Sequence, residues 1–183
     1  MGTIISINVA RPGTVTWRGK EVDTGIFKEP VTGPVSVGRL GLAGDRQADL
    51  SVHGGPRKAV YIYPAEHYAF WRDEFHDREL PPGMFGENLT TRGILETDVR
   101  EGDQLQIGSV LFEVTQPRFP CFKLAAKFGF PGMVRRFAEA GRPGVYLAVI
   151  ETGTIETGQA IELTRRQGDG PSIADVFRRK FDQ

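Results

Sequence analysis

Three short stretches of this chain concentrate residue types that do chemistry. The first holds the only cysteine, in Gln116-Pro117-Arg118-Phe119-Pro120-Cys121-Phe122-Lys123-Leu124. A free cysteine is ordinarily a small buried hydrophobe. Here Pro117 and Pro120 restrict the backbone before it, and Arg118 and Lys123 stand close in sequence. Neighbouring cations favour a thiolate, the form that attacks electrophiles and binds soft metals. Cys121 is thus the candidate nucleophile or metal ligand.

The second stretch, Gly44-Asp45-Arg46-Gln47-Ala48-Asp49-Leu50-Ser51-Val52-His53-Gly54-Gly55-Pro56-Arg57-Lys58, repeats a potential ligand every four residues at Asp45, Asp49 and His53. On a helix they would share a face and could hold a metal. The surrounding glycines predict a loop, where a solvated polar turn is the ordinary reading. Its later half suits anions better. Gly54 and Gly55 expose backbone N–H groups, while Arg57 and Lys58 add charge. The spacing is not that of a P-loop. In the third stretch, Glu87-Asn88-Leu89-Thr90 offers an acid, an amide and a hydroxyl behind Gly86. A capped turn would use the same residues. His67 and His76 read as surface or satisfied histidines. No serine triad, G-x-G-x-x-G motif or paired-carboxylate motif is legible.

The elements that must position these loops are mostly short strands. Thr3–Val9 alternates and is β-branched. Val15–Trp17 and Glu21–Thr24 predict a hairpin around Gly19, and Val35–Leu42 a strand broken by Gly38 and Gly41. Ala59–Tyr63 predicts a short buried strand. Pro64 opens a helix with Tyr68, Trp71 and Phe75 on one face, stopped by Leu80-Pro81-Pro82-Gly83. Gly108-Ser109 joins Gln104–Ile107 to Val110–Thr115 as a hairpin. Short helices follow at Leu124–Phe128 and Met133–Ala140. Val145–Ile150 predicts a strand buried on both faces, and Ala160–Leu163 a last strand. After Gly168-Asp169-Gly170-Pro171, a capping box at Ser172–Asp175 opens a helix with Ile173, Val176, Phe177 and Phe181 on one face. That face must dock on its own barrel or on a second subunit.

The 183 residues carry 23 Lys+Arg and 23 Asp+Glu, so no net charge draws the chain to nucleic acid. One cysteine excludes an internal disulfide and multi-cysteine zinc sites. Neither a signal peptide nor a membrane span is legible, and the expected setting is the cytoplasm, without membrane. The 23 glycines and 12 prolines are spread as turns, which indicates a β-rich fold.

Taken in order, the motifs resemble those of MOSC-domain proteins of the YiiM-like branch. Gly44–Asp49 with His53-Gly54-Gly55 and Lys58-Ala59-Val60-Tyr61 is similar to the first signature, continued by Glu66-His67-Tyr68 and Trp71. Phe85–Thr90 is similar to the second and Gln116–Leu124, with its cysteine, to the third. Gly141-Arg142-Pro143-Gly144-x-Tyr146 resembles the approach to a late barrel strand. The resemblance runs from about Thr3 to Leu163. It implies a mainly β fold, a MOSC-type β-barrel with a few short helices and a C-terminal helix. The expected division is residues 1–167 as the barrel domain and 168–183 as linker and helical tail. It also implies a molybdenum cofactor (molybdopterin), with Cys121 as the thiolate on molybdenum. His53, Gly54, Gly55 and Lys58, helped by Arg118, would hold the pterin's phosphate, and Asn88 and Thr90 would bond the pterin. The implied activity is reduction of small N-hydroxylated substrates, such as hydroxylaminopurine-type base analogues, as detoxification. Electrons would come from a separate donor protein, and a homodimer is compatible. The alternatives are a persulfide carrier on Cys121 and a cofactor-delivery module. Two features depart from the family pattern. Gly158-Gln159 stands where Gly-Asp is common, and the helical tail is short.

Overall fold

The structure is a computed structural model describing residues 1–11, 13–45, 54–165 and 170–181. The first strand, β1 (Gly2–Ala10), is long enough to serve three neighbours. One edge pairs with β8 (Leu89–Arg92). The other edge is shared by β4 (Lys28–Val31) and β13 (Ala160–Thr164). From β13 the sheet continues through β9 (Gln104–Ile107), β10 (Val110–Pro117), β11 (Val145–Glu151) and β7 (Val60–Pro64) to β8. The β13–β1 pairing closes a seven-strand barrel, with β4 as an appended strand. Closure leaves few open edges to manage. Outside it lie the hairpin β2 (Gly13–Trp17) and β3 (Lys20–Thr24), and a small sheet of β5 (Val35–Gly38), β6 (Gly41–Leu42) and β12 (Gly153–Ile155).

Strand β7 explains how the two halves of the core join. All five of its residues are buried. Val60 and Ile62 enter the aliphatic barrel core. Tyr61 and Tyr63 face the other way, into an aromatic layer with Trp71, Phe85, Phe128 and Phe137. That layer is covered by α1 (His67–Glu74), α2 (Phe122–Phe128) and α3 (Met133–Ala140). Its rings pack closely, with Trp71 and Phe137 5.8 Å apart and nearly parallel. The strand expected to be buried on both faces, in the region of Val145–Ile150, instead alternates in β11: Val145, Leu147 and Val149 fill the barrel, with half-buried residues between.

Other expectations need correction. Pro64 ends β7 rather than starting a helix, and α1 begins at His67. The region Val35–Leu42 is two strands folded back at Gly38–Gly41. Leu89 and Thr90 are in β8, not in a loop. The Gly108-Ser109 hairpin forms with Val110 opposite Ile107. Gly158-Gln159 forms the turn entering β13, with Gln159 Oε1 accepting from the Glu156 N–H at 2.9 Å.

The last helix, α4 (Ile173–Phe181), docks on its own barrel. Ile173 is buried in the barrel core. The Ser172 hydroxyl donates to Asp175 Oδ2 at 2.7 Å and accepts from the Asp175 N–H at 3.2 Å, so the capping box forms. Phe177 stacks on Phe119 with ring centres 5.5 Å apart. No helix of the described residues is long and apolar enough to cross a membrane.

Candidate functional site

Because β7 and β8 run parallel, both strands begin at the same end of the barrel. Leu89, which opens β8, lies level with Ile62 in the middle of β7, and the start of β11 and the end of β10 meet at that level, since Val145 lies opposite Ile62 and Pro117 opposite Val145. Cys121 and Arg118 follow β10, Lys58 precedes β7, Asn88 precedes β8 and Tyr146 lies in β11. A cavity of about 90 Å3 is lined by all of these, with Lys28, Asp45, Tyr61, Gly86, Phe119 and Lys123. Cys121 and Arg118 are thereby brought into one cavity with Lys58, which is distant in sequence.

Cys121 is half-buried, just ahead of α2, in an extended conformation with φ −134°. Arg118 is buried. Its guanidinium lies over the rings of Tyr61 and Phe137, 5.2 and 5.4 Å from their centres. Its Nη1 has no hydrogen-bond partner among the described residues. A buried donor left unpaired is costly, and arginine stays charged in proteins. This atom therefore marks a place for an anionic or carbonyl acceptor. Burial pushes the Tyr61 and Tyr146 hydroxyls up in pKa, so both remain protonated phenols. The Tyr61 hydroxyl donates to the Pro143 carbonyl at 2.7 Å.

The opposite wall is held by a buried ion pair. Lys28 Nζ and Asp45 Oδ1 are 2.5 Å apart, with side chains only 8% and 3% exposed. Asp45 also accepts from the Ala10 N–H and from Asn88 Nδ2, each at 2.7 Å. Burial lowers the Lys28 pKa, opposed by the Asp45 charge. Asn88 Oδ1 accepts from the Tyr61 N–H at 3.0 Å, so the amide ties β7 to the Asp45 turn. Lys123 Nζ donates to the Asp23 carbonyl at 3.0 Å.

The other expected residues divide. Asn88 lines the cavity, but both ends of its amide serve the wall. Thr90 is placed inside the fold. Its hydroxyl donates to Glu87 Oε1 at 2.8 Å and accepts from Asn8 Nδ2, and it does not line the cavity. The reason is that Glu87 is a buried carboxylate serving the Gly83 and Phe85 N–H groups and the Tyr68 hydroxyl, and Thr90 completes its set. Gly54 and Gly55 lead into the 3-10 turn Pro56–Lys58, Gly55 with φ 88°. Neither lines the cavity, while Lys58 does. Asp49 and His53 lie outside the described residues. Asp45 is not a solvated turn residue but the buried partner of Lys28. Among the described residues no group of three or more His, Cys, Asp or Glu could hold a metal ion. The parts sequence reasoning missed are Lys28 and the two tyrosines. Lys28 belongs to no motif, and the motifs that contain Tyr61 and Tyr146 gave neither a place in the site, which the strand pairing shows.

The family model of the MOSC domain matches residues 49–162. The chain belongs to the MOSC domain family. Within it, the chain is 44% identical over 171 residues to "Uncharacterized protein YflK" of Bacillus subtilis, covering 93% of this chain and 77% of that protein. It is 38% identical over 168 residues to a protein named "Reductase" from Gibberella moniliformis, covering 87% of this chain but only 29% of that one. The crystal structure of YiiM from Geobacillus stearothermophilus superposes with a TM-score of 0.81 at 35% identity, over 99% of this chain and 84% of that one. The chain is therefore a YiiM-like MOSC protein.

The donor set fits a molybdenum cofactor in kind. A thiol is a soft ligand that molybdenum accepts. The unpaired Arg118 donor and the Lys58 ammonium suit a phosphate or a pterin oxygen.

Proposed function

We propose that this MOSC protein binds a molybdenum cofactor at Cys121 and reduces small N-hydroxylated compounds to amines. The observation that carries the reading is that Cys121 shares a cavity with a buried arginine whose Nη1 lacks a partner. Membership of the family and a relative named "Reductase" support it.

Each residue of the chain then has a task. Cys121 is the protein's thiolate ligand. Arg118 and Lys58 hold phosphate or pterin oxygens by charged hydrogen bonds. Gly54 and Gly55, which lead into Lys58 without lining the cavity, would offer N–H groups to the outer part of the same anion. Tyr61 carries Arg118 on its ring face, and the Asp45–Lys28–Asn88 network fixes the wall against which a ligand rests. Gly86, at φ 81°, packs against Ile26, where a Cβ would meet Ile26 Cγ1 at 2.9 Å. When bound, the cofactor supplies the two-electron metal chemistry that removes oxygen from N–OH. The overall change consumes two electrons and two protons and yields the amine and water. A separate donor protein delivers the electrons.

An anaerobic assay with a reduced viologen and hydroxylaminopurine tests this on cofactor-loaded protein. Donor oxidation matched by amine formation is expected, falling to background in Cys121→Ser. Equal turnover in Cys121→Ser, or none in loaded wild type, would overturn the reading.

A further inference from the structure

Phe119, Pro120 and Cys121 form a thin partition. Phe119 and Cys121 line the small cavity, and Pro120 lines a second, larger cleft of about 1090 Å3 between α1, α3 and α4. The floor of that cleft holds a polar chain that the cofactor site does not use. Glu96, buried, accepts from the Gly144 N–H at 2.6 Å and from His67 Nε2 at 2.8 Å. On the other side of the ring, Arg142 Nη1 lies 3.2 Å from His67 Nδ1. Arginine only donates, so Nδ1 must accept, and the ring proton sits on Nε2 facing Glu96. The imidazole is thus fully used, and it orients Arg142.

Arg142 itself is not fully used. Its Nε is buried with no hydrogen-bond partner among the described residues. Phe70 lies beneath the guanidinium, 4.6 Å from ring centre to carbon. The guanidinium is held by a ring and a histidine with donor capacity left over, in a cleft whose walls include Pro120, Val134 and Phe177. Guanidinium donors match carboxylate and phosphate oxygens, and apolar walls suit a hydrocarbon or aromatic body.

We infer that this cleft is a second binding site, which takes a small molecule carrying an oxyanion, carboxylate or phosphate, on an apolar body. Arg142 receives the oxyanion, and the body rests between Val134 and Phe177. The site requires neither metal nor Cys121. Its ligand nonetheless lies against Pro120, and so against the segment that carries the cysteine.

Isothermal titration of the full chain with benzoate and with phenyl phosphate tests the inference, with phenol and inorganic phosphate as comparisons. Binding of one of the two aromatic anions is expected, at least about tenfold tighter than either comparison. Arg142→Gln should weaken it by at least about tenfold. Ala138→Trp, which fills a half-exposed cleft position and removes no polar group, should weaken it as much. Cys121→Ser should leave it unchanged, which separates failure here from failure of the cofactor reading. The inference is overturned by absence of binding to both anions, by binding that persists in folded Ala138→Trp, or by binding lost in Cys121→Ser. Were Arg142→Gln not to fold, Ala138→Trp decides. A ratio of benzoate to phenyl phosphate affinity far from one would tell a carboxylate site from a phosphate site.

Discussion

Arg118 is the residue at which folding and binding pull in opposite directions. A buried guanidinium with an unpaired nitrogen costs the apo fold and gains only when an acceptor arrives. Arg118→Met keeps the length and apolar stem while removing the charge. Its apo form should unfold at equal or higher denaturant, by up to about 1–3 kcal/mol, while pterin retention falls. A large loss of apo stability in denaturant titrations would instead make Arg118 a structural residue. Lys58→Ala should cost cofactor retention about 1.5–3 kcal/mol, the worth of a charged hydrogen bond, read as pterin lost on gel filtration. Unchanged pterin would remove Lys58 from the anion site. At this scale Cys121 and Arg118 stood out because charge near a lone thiol is a local sequence pattern, and Lys58 because it follows paired glycines; that the three share a cavity was not legible. Thr90 was misread, because its partners Asn8 and Glu87 lie on different elements. His67 read as a surface or satisfied histidine; it is buried, and its satisfying groups, Glu96 and Arg142, were invisible at separations of 29 and 75 residues.

At the scale of elements, alternation and turn residues marked most strands, and the capping box marked α4. What failed was the assignment of faces. The tyrosines of β7 point into a layer that no local pattern announces, so an apolar run there is buried on both sides while the run in β11 is not. Gly144 shows how tightly β7 and the start of β11 are matched. It takes φ 69°, and a Cβ there would sit 2.6 Å from both the Ile62 carbonyl and the Tyr61 ring. Gly144→Ala should therefore destabilise the protein by at least about 1–3 kcal/mol and disturb Tyr61, on which Arg118 lies. Chemical unfolding checks the first part and pterin retention the second. Wild-type stability in Gly144→Ala would mean the strand start yields freely.

At the scale of the whole molecule, the barrel was legible through the order of its motifs rather than through any single strand. Three short strands, β4, β8 and β12, escaped notice, and β4 carries Lys28 of the site. A charge buried in α2 has a pH signature. Burial lowers the Lys127 pKa to about 8, with its Nζ donating to the Ile26 and Gly83 carbonyls at 2.9 and 2.6 Å. The unfolded chain, with an ordinary lysine pKa near 10.4, binds more protons between about pH 8 and 10.4. Stability owed to this group therefore rises with pH across that window, by at most about 1.4 kcal/mol per pH unit. Relative to Lys127→Met, the wild type should gain stability from pH 8 to 10 in parallel denaturant titrations. A constant difference would mean that Lys127 titrates normally.

The account stands most directly on what Cys121 holds. Protein from a host able to make the cofactor should be analysed for molybdenum by elemental analysis and for pterin by fluorescence after oxidation, with Cys121→Ser alongside. Stoichiometric metal and pterin in the wild type, and a folded Cys121→Ser without metal, are the predicted result. Folded wild type lacking both, with a persulfide on Cys121 by mass spectrometry, or a Cys121→Ser that retains its metal, would contradict it.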